Sequence, residues 1–76
     1  MTLGERIQLL RRRAGLTQRE LGARLGCPPN AIVRLETGKI RDLKGARIVR
    51  LATIFGVSAD VLLGLEPLEE ERKERA

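Results

Sequence analysis

The residue types that form covalent intermediates or move protons are nearly absent from this sequence. It has no histidine, one cysteine (Cys27) and one serine (Ser58), so neither a Ser/His nor a Cys/His nucleophile pair can be assembled. A disulfide within the chain and a His/Cys metal site are excluded on the same ground, and no cofactor or metal is expected. Phe55 is the sole aromatic residue, which removes the stacking platforms used by single-strand and RNA-sheet binders. What is abundant is positive charge: 15 Lys+Arg against 10 Asp+Glu in 76 residues, a formal charge of +5. The chemistry on offer is therefore non-enzymatic attraction of a polyanion, and a basic chain without stacking aromatics points to the backbone of a duplex.

That charge is unevenly placed. Residues 1–65 hold 12 basic and 5 acidic side chains, a net of +7, whereas residues 66–76 hold 3 basic and 5 acidic, a net of −2. The change of sign after Leu65 divides a body, 1–65, from a charged tail, 66–76. The length suits one small domain and leaves no room for a sensor domain, so regulation is expected to rest on concentration, dimerisation or a partner. No apolar run approaches the roughly 18 residues of a membrane helix, and the start, Met1-Thr2-Leu3-Gly4-Glu5-Arg6, lacks an apolar signal segment. A cytoplasmic location without a membrane partner follows as the expectation.

The elements that must carry this charge read as helices throughout, because apolar residues recur every three or four positions between glycines. Helix 1 is expected over about Leu3 to Ala14, with Leu3, Ile7, Leu10 and Ala14 on its inner stripe, Thr2 and Glu5 as a capping box, and Gly15 as its stop. Thr17 and Glu20 form a second capping box, opening a helix 2 that turns Leu21 and Leu25 inward and ends at Gly26. Pro29 suits the first position of helix 3, whose inner residues are Ile32 and Leu35 and which Gly38 terminates. A polar loop leads to helix 4, with Ile48, Leu51, Ala52 and Phe55 inward, and Ser58 caps a short helix 5 carrying Val61 and Leu62. After Pro67 the polar tail either extends as a helix or frays.

Two of these helices, Gln18 to Leu25 and Pro29 to Glu36, are joined by a short turn containing glycine, which is helix-turn-helix spacing. Such a unit holds its second helix outward for entry into a major groove while the first crosses the phosphates. The string Leu16-Thr17-Gln18-Arg19-Glu20-Leu21 with Leu25-Gly26, Ile32, Leu35-Glu36-Thr37-Gly38, Leu51-Ala52, Phe55-Gly56-Val57-Ser58 and Leu62-Leu63 resembles the phage repressor and Cro type of helix-turn-helix domain, the xenobiotic-response-element family. The resemblance spans about residues 3 to 64. It implies an all-α, five-helix, lambda-repressor-like domain that binds double-stranded operator DNA as a homodimer, with helix 3 reading the bases.

Carried over position by position, the resemblance puts Pro29, Asn30, Val33 and Arg34 at base edges. Arg34 suits guanine O6/N7, Asn30 suits adenine N6/N7, and Val33 suits a thymine methyl. It puts Gln18 and Arg19 at the start of helix 2, and Thr37, Lys39 and Arg41 after helix 3, against phosphates. Arg11 and Glu36 match a family pair that forms a structural salt bridge. Pro28 stands where a side-chain cap is common, and Gly22 replaces the usual Ala, a change that weakens helix 2 but admits close approach of helix 3.

Helix 5 presents Val61, Leu62, Leu63 and Leu65, more apolar residues than one inward stripe of so short a helix can bury. Leu63 and Leu65, with Leu68, are the expected self-complementary patch of a two-fold dimer. The sequence thus reads as a sequence-specific transcriptional regulator, a repressor on an inverted repeat. The alternative is an antitoxin that autoregulates its promoter and binds a toxin protein through the acidic tail; a third reading is an interaction module that kept the fold and lost DNA.

Overall fold

Three of the helix starts are written into the sequence as short-range hydrogen bonds. In the computed structural model, which describes residues 1–38 and 43–66, Thr2 opens α1 (Leu3–Arg13) with a complete capping box. The Glu5 N–H donates to Thr2 Oγ1 at 3.1 Å and the Thr2 N–H donates to Glu5 Oε1 at 2.8 Å. Thr17 and Glu20 repeat this at the start of α2 (Gln18–Leu25), at 3.0 and 2.9 Å. Ser58 caps α5 (Ala59–Leu63) by accepting the Val61 N–H at 3.2 Å. Each arrangement satisfies donors that a helix N-terminus otherwise leaves open.

Between them lie α3 (Pro29–Glu36) and α4 (Gly45–Phe55), and all regular structure among the described residues is helical. None of these helices is long and apolar enough to cross a membrane. Glycines close α2, α4 and α5 in the left-handed region, at φ +77° for Gly26, +68° for Gly56 and +81° for Gly64, where a Cβ would be strained.

The five helices share one core built from Ile7, Leu10, Leu16, Leu21, Leu25, Ile32, Leu35, Leu51, Ala52 and Leu62. Ile48, Phe55, Val57 and Val61 pack on it half-buried. Helix α3 lies against both α1 and α2, while α5 packs on α1 and α4. The reading of Leu3, Ile7, Leu10 and Ala14 as one inner stripe needs one correction. Helix α1 ends at Arg13, and Ala14 is its exposed C-cap, because the positive φ of Gly15 turns the chain away one residue earlier.

Arg6 is buried despite its charge. It is 6% exposed, and its Nη2 lies 3.4 Å from the point where a Cβ on Gly64 would sit. The guanidinium thus lies against the turn that ends α5.

Candidate nucleic-acid interface

The turn between α2 and α3 is closed by backbone contacts. The Gly22 carbonyl accepts the N–H groups of Gly26 and, at 2.9 Å, Cys27. A Cβ on Gly22 would stand 2.5 Å from the Cys27 carbonyl oxygen, far inside contact distance. The expectation that Gly22 admits helix 3 is therefore corrected in its partner: Gly22 admits the turn itself. Cys27, half-buried and free, packs its side chain against the core.

From that turn α3 emerges with Ile32, Leu35 and Glu36 buried and Asn30, Val33 and Arg34 exposed. Pro29, at the first helical position, is half-buried. No side chain caps this helix; Pro28 and Pro29 carry no N–H, and the Ala31 N–H donates to Pro28 O at 3.0 Å. Asn30 and Arg34 stand one turn apart on the exposed side of α3.

Behind α3 sits a buried polar hub. Arg11 Nε donates to Glu36 Oε2 at 2.5 Å and its Nη2 to Oε1 at 3.2 Å, a two-pronged ion pair. The third direction of the guanidinium is filled by the Leu16 carbonyl, 2.8 Å from Nη1. Gln18 Nε2 donates to Glu36 Oε1 at 3.1 Å, so one carboxylate joins α1, the first residue of α2 and the last residue of α3. With side chains 10% and 2% exposed, Arg11 and Glu36 offer no surface for bases.

A second contact of α1 with α3 involves no side chain on the α1 side. A Cβ on Gly4 would lie 2.5 Å from both the Leu35 and Glu36 carbonyl oxygens, so the first turn of α1 rests directly on the last turn of α3. Sequence reasoning passed over this contact and the Gln18 link to Glu36. The one local sign was a glycine inside a helix, where it costs about 1 kcal/mol relative to alanine and so signals a packing demand.

The phosphate candidates fare unequally in placement. Arg19 is exposed in the first turn of α2 and Gln18 is half-buried beside it, with one amide hydrogen committed to Glu36. Thr37 gives both of its donors to α3: its N–H and its hydroxyl each reach the Val33 carbonyl at 2.9 Å. A phosphate contact by that hydroxyl would require it to leave Val33, so Thr37 acts here as the C-terminal residue that closes α3. Lys39 and Arg41 lie outside the described residues, as does Leu68. Of the dimer candidates, Leu63 is 42% and Leu65 74% exposed.

Electrostatically, the clearest perturbation is at the caps. Glu20 has its carboxyl pKa lowered by hydrogen bonds from Thr17, the backbone N–H first, and Glu5 is lowered in the same way by Thr2. Among the described residues no group of three or more His, Cys, Asp or Glu is placed to hold a metal ion.

The helix-turn-helix domain family matches this chain over residues 2–65. The chain belongs to that family. As a helix-turn-helix protein it is 30% identical, over 73 residues and 96% of its length, to the HTH-type transcriptional regulator ImmR of Bacillus subtilis (strain 168). It spans 57% of the length of that curated relative. Its fold is similar to that of the P22 c2 repressor protein, solved by crystallography in complex with the synthetic operator 9T in the presence of Tl+. The TM-score is 0.77 at 27% identity, covering 87% of this chain and 98% of the repressor chain. These relatives agree with the phage-repressor resemblance carried by the motif string, and they lend no support to the toxin-binding alternative.

Proposed function

We propose that this helix-turn-helix protein is a sequence-specific double-stranded DNA-binding regulator, a repressor that inserts α3 into the major groove. The observation that carries the reading is the two-sidedness of α3. Its outer side presents Asn30, Val33 and Arg34 to solvent, while its inner side is fixed by Ile32, Leu35 and the buried Glu36 hub. A helix held this way enters a groove without rearranging, so little ordering cost accompanies recognition.

In this reading Arg34 donates two hydrogen bonds to a guanine edge and Asn30 bonds an adenine. Arg19, the second amide hydrogen of Gln18, and the open N–H groups at the start of α2 meet phosphates. Lys39 and Arg41 add to that grip from the loop after α3. Leu63 and Leu65, with Leu68, pair two copies about a two-fold axis and set their α3 helices about 34 Å apart, one DNA turn.

Both similar proteins carry regulatory names, ImmR as a transcriptional regulator and the P22 c2 protein as a repressor bound to an operator, and they support this reading. Selection of bound sequences from a random duplex pool tests it. An inverted repeat with half-sites one helical turn apart is the expected product; a pool that stays random after repeated rounds would sink the proposal.

A further inference from the structure

Gln18 stands at the boundary between the buried hub and the surface. Its side chain is half-buried, and Nε2 donates one hydrogen to Glu36 Oε1 at 3.1 Å. Glu36 is itself held: Arg11 donates to both of its oxygens, and its side chain is 2% exposed. The second hydrogen on Gln18 Nε2 has no acceptor among the described residues.

A carboxylate paired with arginine only accepts hydrogen bonds, so the Gln18 amide must turn its nitrogen, not its oxygen, toward Glu36. The second N–H then leads away from Glu36, on the residue that opens α2. Thr17 accepts the N–H groups of Glu20 and Leu21, so those of Gln18 and Arg19 stay open beside it. The start of α3 offers less, because Pro28 and Pro29 have no N–H and the Ala31 N–H is given to Pro28 O. The donors available to an anion are therefore concentrated at α2.

A glutamine without this bond would have to be ordered on binding, and could turn its oxygen to a phosphate as readily as its nitrogen. Glu36 removes both costs beforehand. We infer that Glu36, although buried, is a positioning residue for phosphate binding: it orients the Gln18 amide donor, so a carboxylate on α3 sets the grip of α2. The inference rests on the proposed contact between the start of α2 and phosphates.

The test uses the full chain and its selected duplex, with each phosphate in turn replaced by an uncharged methylphosphonate. At one phosphate per half-site the replacement is expected to weaken wild type about 5-fold more than it weakens Gln18→Ala. The comparison is then repeated in the double variant Arg11→Met with Glu36→Leu, which exchanges the ion pair for apolar side chains and is expected to fold. There the coupling between Gln18 and that phosphate should fall below about 2-fold while thermal unfolding stays cooperative, a change that a merely structural pair would not cause. Coupling of undiminished size without Glu36, or no coupling in wild type while Arg34→Ala still flattens one base position, would overturn the inference alone. Should the double variant not fold, proton resonances of the wild type decide. On adding the duplex, the outer of the two Gln18 Nε2 protons should shift and the Glu36-facing one should stay; equal shifts of both would overturn the inference. Failure of the wild type to enrich any duplex would instead overturn the reading beneath it.

Discussion

Glu36 and Arg34 lie two residues apart on one helix and have opposite duties. Glu36 is buried and receives Arg11 and Gln18, so removing its carboxylate leaves a guanidinium uncompensated in the interior. Glu36→Ala is expected to cost about 3 to 5 kcal/mol of stability, read as a lowered denaturation midpoint; a midpoint equal to wild type would show that the pair contributes nothing. Arg34 is exposed. Arg34→Ala should leave the midpoint unchanged, weaken the best site by about 1 to 3 kcal/mol and flatten preference at one base position. Arg19→Ala, at the start of α2, should instead weaken all sequences alike and reduce the salt slope by about 1. Uniform loss for both variants would make Arg34 a phosphate contact.

At the scale of elements, the capping boxes make a prediction about acid. Glu20 and Glu5 have pKa values lowered from 4.5 in the folded protein by bonds that an unfolded chain lacks. A depressed carboxyl pKa contributes stability that is present above the unfolded value and lost as pH falls through the folded one. Melting temperature should therefore decline as pH drops below about 4.5, and Glu20→Gln should decline less because it has no carboxylate at that cap to protonate. An identical acid response in the variant would remove the caps as its cause. These same caps explain how much could be read from sequence. Thr2 with Glu5, and Thr17 with Glu20, act over three residues, so their chemistry is visible in a string. The glycine stops and the inward Ile32 and Leu35 are equally local. The Gln18 link to Glu36, the burial of Arg6 beside Gly64 and the approach of Gly22 to Cys27 depend on how finished helices or turns meet, and no neighbouring residue announces them. Ala14 was misread for a related reason, since periodicity marks a face but not the residue at which a helix leaves it.

For the whole molecule the net charge of +5 and the exposed Leu63 and Leu65 set the expectations. A dimer making about 6 to 10 phosphate contacts should lose about 10³ to 10⁵ in affinity between 50 and 200 mM salt; an affinity flat over that range would refute the electrostatic part. Sedimentation should show two chains per selected duplex, and Leu63→Lys should make the two chains bind independently; one chain on a site without two-fold symmetry would exclude the pairing. The bare contact of Gly4 on the Leu35 and Glu36 carbonyls bears on something else, the order in which the molecule assembles. A side chain can touch its partner early and settle later, but backbone against backbone fits only in the finished arrangement. The seating of α1 on α3 is therefore expected on the late side of the folding barrier, where lost interactions speed unfolding more than they slow folding. Gly4→Ala should steepen the escape from the native state in stopped-flow measurements while the refolding limb barely moves. The smallest residue in α1 would then be the one that sets how long the folded protein lasts.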